Sequence, residues 1–293
     1  MKILFVTPGP IEWATSRFRA HWLQPYLPDA EIVEYSAVVG LSLGAQDRLI
    51  DYFDAVVWLK QCDTAAVRRH PNVDHWWDVT DPMWWFSPES SHDIIEVVDG
   101  TIVSSQALGE NFSQWSGKRS YRIDDCMSLD HYIYTREHED RKPTRLIWFG
   151  LGPNIISLYG GLANLSRLAA NGIEFELTLL TNQDPGITAE FPVYYVPYDL
   201  STEALILAEH DIAYLPPYPG PWGRVKSPNK RFTAFSAGLP VDDGSDYLHL
   251  LQACNDAEWR QRDATSNRKM IEDMYTSEHA ARKLLQVLEG TAP

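Results

Sequence analysis

The sequence predicts an α/β fold of two domains, each built on a parallel sheet. The chain has 293 residues, enough for about two ordinary domains. Short β-branched or aromatic runs alternate with longer stretches of helical period, as in parallel strands joined by crossover helices. The alternation stops at a charged segment that ends in proline, residues 138–143, and then restarts. We therefore expect one domain over residues 1–143 and a second over residues 144–293.

Strand and helix patterns alternate throughout the first half. The predicted strands cover residues 2–7, 31–35, 55–60, 101–104 and 120–123. A helix is expected over residues 17–27, because Phe18, Trp22 and Tyr26 recur at every fourth position and Pro28 ends the pattern.

The second half repeats the alternation. Its predicted strands cover residues 145–149, 175–180, 193–196 and 211–215, and its predicted helices cover residues 155–170, 200–209, 229–237 and 257–289. Thr276 to Glu278 mark a break in the last stretch. The tail helix after this break is a candidate to return to the first domain.

Charge and composition exclude several classes of protein. The chain carries 40 acidic and 25 basic residues, a formal charge of −15, so it repels polyanions as a whole. Three cysteines are too few and too scattered for a disulfide framework or a zinc site, which favours the cytoplasm. The first apolar run is too short for a signal peptide, and no run of about 18 apolar residues predicts a membrane span. Nothing in the sequence indicates an oligomeric state.

Residues 226–241 are the most informative segment. Ser227, Pro228 and Asn229 suit the start of a helix, which Gly238 ends before a short strand. Lysines 226 and 230 lie within a turn of that start, so free amides and two ammonium groups could hold a diphosphate. An ordinary helix–strand connection with solvated lysines is the alternative interpretation.

This segment resembles the donor-binding segment of GT-B glycosyltransferases, especially glycosyltransferase family 4, in its Lys-Ser-Pro-Asn-Lys start and Ala-Gly-Leu-Pro-Val end. Residues 2–7, 102–105 and 211–216 resemble other family segments in the same order. The resemblance implies two Rossmann-like domains facing each other across a cleft, with the acceptor on the first and a nucleotide diphosphate sugar on the second. A UDP-sugar is the expected donor. No metal or other cofactor is expected, and the sequence contains no Asp-x-Asp element.

One feature departs from the family pattern. Members usually carry two glutamates eight positions apart near this helix, and the second contacts the ribose. Val225 and Thr233 occupy these positions here. A threonine hydroxyl offers a neutral hydrogen bond of only about 0.5–1.5 kcal/mol, so the ribose contact is weakened and a non-catalytic member is an alternative.

Donor-site candidates come from the resemblance and from strand ends. The loop after the strand at residues 145–149 has two glycines but lacks the third glycine of a dinucleotide fingerprint and a Walker lysine. Thr181, Asn182 and Tyr198 follow the next two predicted strands. For these three residues, the alternative interpretation is an ordinary turn at the end of a strand. The donor-binding candidates are Gly150, Gly152, Asn154, Thr181, Asn182, Tyr198, Ser227, Asn229 and Thr233.

Acceptor-site candidates lie in the first half. Ser16, Arg17 and Arg19 follow the loop after the first strand, where α/β proteins bind ligands. A second stretch holds four tryptophans and two aspartates within residues 76–85, and suits stacking on a sugar, although core packing explains it equally well. The acceptor-binding candidates are Ser16, Arg19, Asp78, Trp84 and Trp85, and the catalytic candidates are Lys226, Lys230, Arg17 and Asp81.

The sequence thus predicts transfer of a sugar to a hydroxyl, and the resemblance implies retention at the anomeric carbon. The acceptor is a glycan, a small metabolite or a hydroxymethylated base in phage DNA. A DNA acceptor would need a local basic groove, for which the candidates are Arg17, Arg19, Arg68, Arg69, Lys118 and Arg119. A nucleotide-sugar epimerase or hydrolase of the same fold, or a non-catalytic nucleotide-sugar-binding module, is the alternative function.

Overall fold

The structure, a computed structural model, describes residues 1–291 and divides into two compact units. The first unit contains Met1–Cys126, Arg224–Ser227 and the tail from Tyr275 onward. The second contains Met127–Gly223 and Pro228–Met274. The charged segment at residues 138–143 therefore belongs to the second unit.

A long helix of that unit, α12 (Ala257–Met274), anchors the charged segment. The backbone N–H of His138 donates to Gln261 (3.0 Å), and Arg260 donates to the carbonyl of Glu139 (2.8 Å). These contacts tie the segment, which has no apolar anchor of its own, to α12.

The first unit is built on a six-stranded parallel sheet. Its strands are β1 (Ile3–Thr7), β2 (Ala30–Glu34), β3 (Ala55–Leu59), β4 (Asp74–Val79), β5 (Gly100–Val103) and β6 (Tyr121–Arg122), in the order β2-β1-β3-β4-β5-β6. Every residue of β1 and β3 is buried, as expected when helices cover both faces of a parallel sheet. The strand order reverses between β1 and β3, where open α/β sheets bind ligands at the carboxyl edge.

Short helices connect these strands. They are α1 (Ala14–Ser16), α2 (Tyr35–Val39), α3 (Leu43–Ile50), α4 (Thr64–Arg69), α5 (Pro88–Ile95) and α6 (Gln106–Ser116). The single helix predicted over residues 17–27 is wrong. Arg17–His21 forms a π-helical turn and Gln24–Tyr26 a 3₁₀ turn. Pro25 has no N–H to donate to the carbonyl of His21, so an α-helix does not continue through it.

The second unit is built on a five-stranded parallel sheet. Its strands are β7 (Thr144–Phe149), β8 (Phe175–Thr181), β9 (Val193–Pro197), β10 (Ile212–Tyr214) and β11 (Val241–Asp242), in the order β11-β10-β7-β8-β9. The helices that follow are α7 (Ile156–Ala170), α8 (Leu200–Ala208), α9 (Gly220–Val225), α10 (Asn229–Ser236), α11 (Tyr247–Asn255) and α12 (Ala257–Met274). Here the strand order reverses between β7 and β10.

Two segments return to the first unit. Helix α13 (Ser277–Leu288) follows the predicted break and is capped by the hydroxyl of Thr276. The end of α9 is held because Ser105 Oγ donates to the carbonyl of Val225 (3.0 Å). Lys226 therefore belongs to the first unit, whereas Lys230 belongs to the second. In the described range, none of the helices combines the length and apolar character needed to cross a membrane.

Candidate functional site

A glycine loop at the carboxyl end of β7 forms the core of a candidate site in the second unit. Gly150 has a φ of 152°, a region that glycine adopts readily and other residues avoid, and its N–H donates to the carbonyl of Leu180 (3.1 Å). The N–H of Gly152 donates to Asn182 Oδ1 (2.7 Å), which joins the loop after β7 to the loop after β8. The loop thus lies beside the strand-order reversal, where α/β sheets bind ligands.

The side chain of Lys230, on the first turn of α10, packs against this loop. Its Nζ lies 4.5 Å from the centre of the buried indole ring of Trp148, a cation–π contact. A Cβ atom added to Gly150 would collide with the same Nζ. Gly150 is therefore what lets the ammonium approach the backbone closely.

We expect Gly150→Ala to weaken binding of UDP at least about tenfold, a change of about 1.4 kcal/mol. The added methyl group would displace the Lys230 ammonium, and the backbone conformation at this position disfavours alanine. Isothermal titration calorimetry measures the affinity. Gly160→Ala is the matched control, because Gly160 lies in α7 with open space around it. Equal UDP affinities in wild type and Gly150→Ala would remove the loop from the site.

The remaining strand-end candidates lie around the same edge. The hydroxyl of Thr181 lies 3.4 Å from Asn182 Oδ1, and the N–H of Tyr198 donates to the carbonyl of Thr181 (2.9 Å). Asn154 lies in a 3₁₀ turn that leads from the glycine loop into α7. The structure therefore brings six predicted donor residues and Lys230 to the carboxyl edge of one sheet: Gly150, Gly152, Asn154, Thr181, Asn182 and Tyr198.

The start of α10 differs from its prediction. Ser227 does not cap the helix, because Pro228 occupies the cap position and Ser227 Oγ donates to Asp125 Oδ2 (2.5 Å). Asn229 is the first helical residue. Thr233 is buried, and its hydroxyl faces the sulfur of Met127 at 3.9 Å. Ser227 thus binds within the first unit, and Thr233 directs its hydroxyl to Met127 rather than to the glycine loop.

A buried charge cluster lies at the carboxyl edge of the first sheet. The Arg19 guanidinium donates to both carboxylate oxygens of Asp78 at 3.0 Å, and its Nη1 lies 3.6 Å from Asp125 Oδ1. All three side chains are almost completely buried. Burial raises the pKa of Asp78 to about 6, although the charge of Arg19 opposes that rise. Arg19 and Asp78 therefore bind each other rather than presenting an open surface to an acceptor.

Two further candidates at this edge have structural contacts. Ser16 is buried and its Oγ donates to the carbonyl of Gly9 (2.7 Å). Arg17 is also buried, donates to the carbonyl of Glu12 (3.2 Å) and lies over the ring of Phe18. Both side chains fix the loop after β1.

The tryptophan-rich stretch is mostly core. Trp84 is buried, stacks on Trp115 with ring centres 5.3 Å apart and donates to Asn111 (2.9 Å). Its neighbour Trp85 is 39% exposed. Of the two tryptophans predicted to contact the acceptor, only Trp85 therefore presents a substantial surface.

Asp81 follows β4 and pairs with a lysine that sequence reasoning missed. Lys60 Nζ lies 2.5 Å from Asp81 Oδ2, and both side chains are partly exposed. Burial lowers the pKa of the neighbouring Lys226; the charge of Asp81 opposes this effect and that of Lys60 adds to it. Lys60 follows directly after β3. Its position at the end of the strand predicted over residues 55–60 is the sequence feature that could have identified it as a site candidate.

Three buried polar atoms at this edge have no hydrogen-bond partner among residues 1–291. They are Thr7 Oγ1 at the end of β1, Ser104 Oγ after β5 and Asp125 Oδ1 after β6. Buried polar groups normally form hydrogen bonds. These three atoms at the carboxyl edge of the sheet can therefore form further hydrogen bonds. Within the same range, no cluster of three or more His, Cys, Asp or Glu side chains is placed to hold a metal ion.

The basic groove predicted for DNA is not one surface. Arg17 and Arg19 are buried behind the carboxyl end of β1. The other four residues end α4 or precede β6, at the opposite edge of the parallel sheet: Arg68, Arg69, Lys118 and Arg119. Arg69 and Lys118 also pair with carboxylates.

No protein-family profile matches the sequence, and no curated protein is similar enough to match. Several solved structures have a similar fold. One is an α-glucosyltransferase in complex with UDP and a 13-mer DNA containing an A:G mismatch, with a TM-score of 0.70 and 8% identity over 98% of this chain and 99% of that one. Another is the lipopolysaccharide outer core galactosyltransferase WaaB, with a TM-score of 0.62 and 12% identity over 99% of each chain.

A third neighbour is TarM, with a TM-score of 0.57 and 11% identity. The match covers 80% of this chain, which spans 54% of the length of TarM. These neighbours are GT-B glycosyltransferases, and the two parallel-sheet Rossmann-like units confirm the GT-B fold class. Membership of family 4 stays a prediction.

Proposed function

We propose that this GT-B chain is a glycosyltransferase that moves a sugar from a nucleotide diphosphate sugar, with a UDP-sugar as the expected donor, to an acceptor hydroxyl. One observation carries the proposal. In the second unit, the Lys230 ammonium packs against the Gly150 backbone at the carboxyl edge of β7. A cation beside a glycine loop at a strand-order reversal suits a diphosphate. The UDP in the α-glucosyltransferase neighbour supports the same donor class.

The reaction exchanges one bond at the anomeric carbon. The bond from this carbon to the diphosphate oxygen breaks with its electron pair leaving on the diphosphate, and a bond to the acceptor oxygen forms. The hydroxyl proton passes to the departing diphosphate, a route that fits retention. Lys230 stabilises the developing negative charge, which is electrostatic catalysis of the kind that oxyanion sites provide. We therefore propose transfer without a required metal ion.

We place the acceptor on the first unit, with Asp81 as the carboxylate that accepts a hydrogen bond from a second acceptor hydroxyl. Asp81 is partly exposed, whereas Asp78 is buried against Arg19. A glycan or small metabolite suits the net charge of −15 better than DNA does. The division of the basic residues between opposite edges of the sheet further disfavours a base in DNA as the acceptor.

Thermal unfolding with nucleoside diphosphates tests the donor class. A ligand at 100 times its dissociation constant adds about 2.7 kcal/mol of stability. We expect UDP to raise the melting temperature of wild type more than ADP, GDP, CDP and TDP do. We expect a smaller shift in Lys230→Ala. A protein that none of the five stabilises would contradict the proposed function.

A non-catalytic nucleotide-sugar-binding module is the second candidate. It is favoured by the side chains at the two family glutamate positions, because Val225 is packed in the core of the first unit and Thr233 is buried against Met127. This candidate predicts UDP binding without release of UDP from UDP-sugars. Free sugar or an epimer formed without acceptor would instead indicate a hydrolase or epimerase.

A further inference from the structure

Lys60 has an unusual backbone conformation. Its φ is 62°, and within residues 1–291 no other residue except glycine has a positive φ. The N–H of Gln61 donates to the carbonyl of Leu59 (2.7 Å), so Lys60 is the central residue of a γ-turn. With a positive φ at its centre, this is the rare and strained form of the turn. A lysine held this way at a strand end suggests function, because strained residues concentrate at functional sites.

The neighbouring strand β4 holds the turn on both sides. The N–H of Lys60 donates to the carbonyl of Asp78 (2.8 Å), and the indole N–H of Trp77 donates to the carbonyl of Lys60 (2.9 Å). Trp77 is fully buried. The surrounding sheet therefore imposes the conformation.

The turn directs the lysine to Asp81. The Lys60 ammonium lies 2.5 Å from Asp81 Oδ2, and about a fifth of the Asp81 side chain remains exposed (19%). Lys226 and Asp125 also interact electrostatically with Asp81. The pair lies where β3 and β4 end, beside the strand-order reversal of the first sheet.

We propose that Lys60 is a positioning residue: the γ-turn aims its ammonium at Asp81, and the ion pair fixes this partly exposed carboxylate for a hydrogen bond from an acceptor hydroxyl. This inference rests on the proposed glycosyl transfer. Glycine would adopt the turn without strain, so packing alone does not require a lysine. A partly exposed ion pair also contributes little stability. The contact of 2.5 Å with Asp81 gives this side chain a use in fixing that carboxylate.

The test is UDP release from UDP-glucose, with glucose as an acceptor that carries several hydroxyls, in four variants: Lys60→Gly, Lys60→Met, Lys60→Arg and Asp81→Asn. Lys60→Gly relaxes the turn, so we expect it to unfold at the same or a higher temperature than wild type. We expect its kcat to fall about 10²-fold, as when a substrate is held about 1 Å out of place. The affinity for UDP should stay unchanged, and Lys60→Arg should retain most of the kcat.

A double-mutant cycle separates positioning from other roles. If Lys60 acts through Asp81, Lys60→Met lowers kcat when it is made in the wild-type protein. It has no further effect on kcat when it is made in a protein that already carries Asp81→Asn. Lys269→Ala, which removes an exposed pair with Asp273, is the control with unchanged kcat. A folded Lys60→Gly with the wild-type kcat, or additive effects in the cycle, would overturn the inference alone. Absence of both UDP binding and UDP release in wild type would instead overturn the proposed function.

Discussion

Lys230→Ala is expected to lower kcat for UDP release from a working UDP-sugar by about 10²-fold or more. The Lys230 ammonium is the cation that the structure places against the Gly150 loop, where the diphosphate charge would develop. Removing one such electrostatic group from a catalytic site costs about 10²–10³-fold in rate. Steady-state kinetics with saturating donor measure the effect.

Arg231→Ala is the matched control for this prediction. Arg231 is the next residue on α10, but its side chain is half exposed and pairs with Asp243 (3.0 Å). We expect its kcat to stay within about twofold of wild type, because an exposed ion pair contributes about 0–1 kcal/mol. Equal rates for Lys230→Ala and Arg231→Ala would remove Lys230 from the mechanism.

Arg19→Met is expected to destabilise the protein by about 3–5 kcal/mol at pH 7.5, the range for removing one partner of a buried ion pair. The substitution leaves the buried carboxylates of Asp78 and Asp125 without their guanidinium partner. Chemical denaturation followed by tryptophan fluorescence measures the change. Arg262→Met is the control, because Arg262 pairs with Glu258 on the exposed face of α12.

The loss of stability in Arg19→Met should be larger at neutral pH than at acidic pH. Burial raises the pKa of Asp78 to about 6 in the folded protein, above its ordinary value of 3.8. A raised carboxyl pKa means that the folded state binds the proton more tightly than the unfolded state does. The stabilisation that this proton gives the folded state is therefore lost as pH rises from about 4 to 6. Without Arg19, the ionised form is less favourable still. Arg19→Met should therefore be closer to wild type at pH 5 than at pH 7.5, and a pH-independent difference would contradict this account.

The glycine loop after β7 was predictable because its signals are local. A buried β-branched strand, a glycine directly after it and a helix behind are all visible within about 25 residues around Gly150. The alternation of such units also predicts parallel sheets, whose carboxyl ends collect the loops. By contrast, the π-helical turn at Arg17–His21 left no clear local signal, since Phe18 and Trp22 keep a helical spacing.

By itself, the sequence determined the α/β class, most strand positions, the glycine loop after β7 and the acidity that argues against a polyanionic acceptor. The tertiary structure decided which charges meet: Arg19 with Asp78, 59 positions apart, and Lys60 with Asp81. It also decided that Lys226 joins the first unit and Lys230 the second. The physical reason is that the spacing of apolar residues in the sequence indicates which strands are buried, but it does not indicate the order of the strands in the sheet. The strand order sets which carboxyl ends become neighbours. That order depends on packing across the whole sheet.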